Sequence, residues 1–129
     1  MMNKFFTIVF MTLATISVTY SQVYERIYEN SNDEVRAKLN QNKIAGIDIL
    51  TGVVSHHDLK VLGMNSNNKS ELTSLLENNN QITTFTFSGD LKSLTLTTTG
   101  HITKEIINNL LEHLYIELNE YTVSYSINE

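Results

Sequence analysis

Cysteine, proline and tryptophan are all absent from this 129-residue chain, and glycine appears only five times. Without cysteine there is no lipoprotein attachment point and no disulfide framework, so the domain must stand on its hydrophobic core. Without proline, no sheet edge is blunted by a residue that cannot pair. Positive charge is scarce too, with nine Lys plus Arg against fourteen Asp plus Glu. The basic residues are dispersed, Arg36, Lys38 and Lys43 being the nearest to a group. This argues against nucleic acid and anionic membrane surfaces as partners, because both require clustered Lys and Arg.

Long apolar runs are equally few. Met1–Ser21 carries Lys4 as its only charge, then an apolar stretch from Phe5 to Ile16, then Ser17, Val18, Thr19, Tyr20 and Ser21. That is the layout of a Sec signal peptide, with Thr19 and Ser21 as the small residues before a cut at Gln22. A membrane-spanning helix needs about 20 consecutive apolar residues. Phe5–Val18 is shorter and is interrupted by Thr7, Thr12, Thr15 and Ser17. The expectation is a signal peptide over 1–21, export to the periplasm or the extracellular space, and one domain over 22–129 that is not embedded in a membrane. Removal of Lys4 leaves eight basic against fourteen acidic residues, a net charge of −6. A domain of this length buries roughly two-thirds of its unfolded surface.

What the chain has in quantity is periodicity. Ile82–Ser88, Ser93–Thr98 and Tyr121–Ile127 alternate as strands, and His101–Leu114 places Ile102, Ile106, Leu110 and Leu114 along one helical line. Ser88-Gly89-Asp90 turns the first two strands as a hairpin. Earlier, Ser31 and Glu34 have capping-box spacing for a helix with Val35 and Leu39 on its apolar side, and Asn68 with Glu71 opens another that carries Leu72, Leu75 and Leu76. Ile44–Val54 contains a strand, in which Ala45, Ile47 and Ile49 alternate with Gly46 and Asp48 and Thr51-Gly52 supplies a bend, and Asp58–Met64 reads as another beyond a turn at His56-His57. Val23–Tyr28 reads as an edge strand, although Tyr24 and Tyr28 also stand at helical spacing. Leu72, Leu75, Leu76 and Glu77 match Ile107, Leu110, Leu111 and Glu112 at a constant offset of 35 positions. These elements predict an α+β domain: a single antiparallel sheet covered on one face by about three helices, in the order βαββαββαβ, as two overlapping ferredoxin-like units. Such a frame is similar to that of heavy-metal-associated domains. Those bind through a C-x-x-C loop, which this chain lacks, so the resemblance is of architecture and transfers no residue.

In register, Phe85, Phe87, Leu94, Leu96, Tyr121, Val123 and Tyr125 share one face of the predicted sheet. The other face is Thr84, Thr86, Ser88, Ser93, Thr95, Thr97, Thr122, Ser124 and Ser126, all hydroxyls and no charge. Such a face makes hydrogen bonds without an ionic partner, which makes Thr84, Thr86, Thr95, Thr97, Thr122 and Ser124 the candidate binding residues for a protein, a peptide or a glycan. Tyr121–Ile127 carries neither Lys nor Pro, so as an edge it would accept a further strand or pair with a second copy in a weak homodimer. Neutral imidazole and carboxylate bind zinc or copper, which makes His56, His57 and Asp58, with His101, the alternative site. No nucleophile elbow, H-E-x-x-H, phosphate loop or EF-hand loop is present, so no catalytic residue is assigned and no cofactor is expected. The chain therefore reads first as an exported binding module, second as a periplasmic metal-binding accessory protein, and third as a small hydrolase with no recognisable motif.

Overall fold

The ambiguous opening segment is helical. In the computed structural model, which describes residues 24–128, α1 covers 24–29 and is followed by α2 (Asp33–Ala45), β1 (Val53–Leu62), α3 (Ser66–Glu77), β2 (Ile82–Phe87), β3 (Ser93–Thr99), α4 (Lys104–Glu112) and β4 (Glu117–Ile127). Met1–Ser21, expected to be a signal peptide, lies outside the described residues. No helix among the described residues is long and apolar enough to cross a membrane. In α1 the helical spacing of Tyr24 and Tyr28 prevails over the alternation, and their rings stack with centroids 6.0 Å apart.

Capping residues set where the helices begin. Asn32, not Ser31, caps α2 by accepting from the Val35 N–H. Ser31 is buried and donates to the Ile27 carbonyl instead. In α3 the cap is Asn65, whose Oδ1 accepts from the N–H groups of Asn67 and Asn68, while Asn68 Oδ1 accepts from the Asn65 N–H at 2.7 Å. This reciprocal box starts the helix three residues before the predicted Asn68. Asn65→Ala is expected to lower unfolding free energy by ~1 kcal/mol in urea denaturation, the usual effect of removing an N-cap.

The expected α+β class holds: the described residues form four helices and one four-stranded antiparallel sheet in the order β2-β3-β1-β4. Element order differs from the expectation in two places. The segment before α2 is a helix, and the strand expected from the alternation of Ala45, Ile47 and Ile49 does not form: α2 stops at Gly46, which takes a left-handed φ of 72°, and turns lead from there to Val53. The turn predicted at His56-His57 is instead the interior of a continuous strand, β1, which runs from Val53 into the predicted Asp58–Met64 strand and ends at Leu62. A single βαββαβ succession from Val53 to Ile127 therefore replaces the two overlapping units, and α2 is followed by one strand instead of a pair.

Both hydrophobic clusters lie on the same face of the sheet. One joins Leu72 and Leu76 of α3 and Ile107 and Leu111 of α4 to Leu59, Val61, Leu94 and Leu96 of the sheet. The other joins Ile27, Val35, Leu39, Ile49, Leu50 and Val53, with Tyr125 and Ile127 packed against it. Val53, Leu59 and Val61 are odd-numbered residues of β1 and so point to one side. Among the described residues, no helix covers the opposite face of the sheet, the open face.

Candidate functional site

β1 lies inside the sheet, between β3 and β4, and this decides the chemistry of the open face. Alternation along β1 turns His56, Asp58 and Lys60 outward and Ser55, His57 and Leu59 inward. The pairing register then builds two ranks across all four strands. In one, Thr86, Thr95, Asp58 and Thr122 stand side by side; in the other, Thr84, Thr97, His56 and Ser124 do. The structure thus brings all six predicted hydroxyl residues to one face. It also corrects the expectation that this face is uncharged and its three hydroxyl strands adjacent, because β1 inserts an ionisable stripe between β3 and β4.

The stripe is tied to its neighbours. His56 Nε2 is 2.7 Å from Ser126 Oγ, and its Nδ1 is 3.4 Å from Thr97 Oγ1. Lys60 Nζ lies 3.6 Å from the Glu120 carboxylate, with both side chains about two-thirds exposed, so the ion pair stabilises little. Asp58, Lys60, Ser93, Thr95, Glu120 and Thr122 line a shallow depression of about 440 Å³. The sheet's rings turn the other way: Phe85, Phe87 and Tyr121 pack on one core cluster and Tyr125 on the other. Among the described residues, the open face of the sheet therefore offers hydroxyls, the Asp58 and Glu120 carboxylates, the Lys60 ammonium and the His56 imidazole, while the phenyl and phenol rings of the strands face the core.

β4 adds a second feature. It is an edge of the sheet, and its eleven residues include neither Lys nor Pro. Its only charges are Glu117 and Glu120, both near its start. Edge strands of this length are ordinarily protected by Lys, by Pro or by a bulge that turns them away. Here the register shift opposite Lys60 and Val61 falls near the start of β4, leaving Tyr121–Ile127 regular.

The four candidate metal ligands are not brought together. His56 and Asp58 are on the open face, His57 is in the core, and His101 lies on the helix side, where its Nε2 is 2.8 Å from Asp48 Oδ1. No group of three His, Cys, Asp or Glu side chains able to hold a metal occurs among the described residues. Burial pushes the Asp48 carboxyl up, but a hydrogen bond from the Leu50 N–H and the bond and charge of His101 outweigh it and hold the group below its usual range.

His57 has a structural part that its sequence neighbours do not signal. It is 1% exposed, with Nδ1 2.6 Å from Tyr121 Oη and Nε2 2.8 Å from Thr98 Oγ1. Each hydroxyl can donate or accept, so a neutral imidazole is satisfied in either tautomer. Burial, reinforced by the charge of His56 and opposed by that of Asp58, lowers its pKa to about 4. Burial also raises the Tyr121 phenol, helped by Tyr125 and Glu105. This network cross-links β1, β3 and β4 beneath the open face, and no protein-family model and no curated protein matches the chain to assign it a further role.

Proposed function

We propose that the protein is an exported binding module that works by strand addition at β4, with the neighbouring open face as the contact surface. The observation that carries this reading is the edge position of a long, regular strand with no protecting Lys or Pro. Export rests on the layout of Met1–Ser21 in the sequence. The partner is a polypeptide in extended form, and a second copy of this chain meets the requirement directly. In antiparallel self-pairing centred on Ser124, the uncharged Tyr121–Ile127 segments lie against each other, and Glu117 and Glu120 of each copy fall beyond the other's paired segment. Thr122, Ser124 and Ser126 would then continue the hydroxyl ranks across the join. A net charge of −6 on each mature chain opposes the approach and keeps self-association weak.

Light scattering across a concentration series tests this. Added salt should strengthen a weak dimer by screening the like charge, and the double variant Thr122→Lys, Ser124→Lys should weaken it about ten-fold by placing cations on the edge. Both positions are exposed, so the variant should melt within a few degrees of the parent. A protein that stays monomeric at millimolar concentration, or a dimer untouched by the two lysines, would remove β4 as the contact.

A further inference from the structure

The two hydrophobic clusters do not meet everywhere. Between them, on the helix side of the sheet, the buried Ser55 of β1 and the half-buried Val123 of β4 line a cleft of about 640 Å³ that residues of α1 and α4 border. Its walls are Tyr121 on the α4 side and Tyr125 on the α1 side, with Ile27, Leu50 and Ile102 completing an apolar interior. The Tyr121 hydroxyl is bonded to the buried His57, which fixes this wall in place. The size is that of a site for a small organic molecule.

The rim of the cleft carries two cations. Arg26 of α1 stands at one end, close enough to Tyr125 for its charge to act on the phenol. Lys104 of α4 stands at the other, with Nζ 6.0 Å from the centre of the Tyr121 ring. Neither cation is in an ion pair among the described residues. Glu105 is the one carboxylate on this lining, while His101, also on the rim, is paired with Asp48. An acidic protein that turns two cations towards an apolar cleft is set up for a ligand with an apolar body and a negative head.

We propose that this cleft binds a small amphipathic anion, a carboxylate on an aliphatic or aromatic body, with the body between Tyr121 and Tyr125 over Val123 and the head at Arg26 and Lys104. The site is separate from the β4 edge: it uses the core-facing side chains of β4, not its free backbone groups or its outward hydroxyls. The two proposals therefore stand or fall independently.

The probe is dodecanoate, titrated below its micelle concentration into the exported protein and followed by tyrosine fluorescence and by methyl NMR of Val123. One saturable site with a dissociation constant on the order of 10–100 μM is expected, in line with the modest binding energy per atom of ligands this size. Arg26→Gln with Lys104→Gln should weaken dodecanoate about ten-fold, the loss of a charge-assisted contact, and leave the neutral dodecanol unchanged. Val123→Phe should fill the cleft and abolish both. Because Arg26 and Lys104 are exposed, the glutamine variants test the site without depending on a core change. Absence of a saturable site, equal loss of dodecanoate and dodecanol in the glutamine variants, or dodecanoate binding untouched by them would each overturn the proposal.

Discussion

Acidification from pH 6.5 to pH 4 should remove on the order of 3 kcal/mol of folding free energy through His57 alone. The folded pKa is about 4, because burial penalises the imidazolium and His56 adds to the penalty, with Asp58 acting the other way. In the unfolded chain the group returns to its ordinary value near 6.5. The unfolded state therefore binds the proton first as pH falls. Stability is full above about pH 6.5 and is lost progressively down to about pH 4. Asp48, whose folded pKa is lowered, adds a loss only at lower pH, as the medium falls through the carboxylate range. Urea unfolding at half-unit pH steps measures this slope. His57→Gln keeps a neutral group able to donate and accept towards Thr98 and Tyr121, and should flatten the curve between pH 6.5 and pH 4.5. A parent whose stability is level over that interval would show that the imidazole is not held neutral.

The second large effect is expected at Asn42. This side chain is 1% exposed within α2, and its Nδ2 donates to the Ile49 carbonyl and the Thr51 carbonyl, both at 2.8 Å. One amide group thus satisfies two acceptors of the turn between α2 and β1, where no strand partner is available to do so. Asn42→Ala leaves the buried Ile49 carbonyl and its neighbour without donors and should cost about 2–4 kcal/mol, the usual penalty for unsatisfied buried polar groups. Asn42→Asp is nearly the same shape but sets an oxygen against two oxygens, and should be more damaging still. Chemical denaturation of both variants separates these outcomes: an aspartate variant as stable as the parent would mean that the two bonds contribute nothing.

The buried asparagine also shows why Ile44–Val54 is misread from sequence. Ala45, Ile47 and Ile49 alternate as a strand would, yet Ile44 and Ile47 are exposed, and ahead of β1 only Ile49 and Leu50 enter the core. A hydrophobic residue in a turn held by a side-chain amide looks, locally, like a residue of a strand. β1 was obscured by the reverse effect. Its inward positions are Val53, Ser55, His57, Leu59 and Val61, so the period-two pattern is regular in space and interrupted in hydrophobicity. His57 can occupy a core position because Tyr121 and Thr98, distant in sequence, satisfy the imidazole, and Ser55, buried as well, lines the cleft.

The six hydroxyl residues of the open face were legible, since Thr84, Thr86, Thr95, Thr97, Thr122 and Ser124 lie on strands whose alternation is plain. That His56 and Asp58 belong to the same face was not, because it depends on which strand takes the central place. Arg26, Lys104 and the two tyrosines of the cleft gave no joint signal either, being separated along the chain and joined only across α1, α4 and β4.

By itself, then, the sequence determined what short-range periodicity and composition can: an α+β class, the hairpin of β2 and β3, the helix before β4, the lack of disulfides and of a basic surface. Each depends on residues within a few positions of one another, where side-chain direction follows from the backbone alone. Only the tertiary structure decided that β4 is an edge, that β1 divides the hydroxyl face with an ionisable stripe, and that a cleft remains between the two core clusters. Those depend on strand order and on how far each helix reaches over the sheet, which are settled by contacts between residues far apart in the chain.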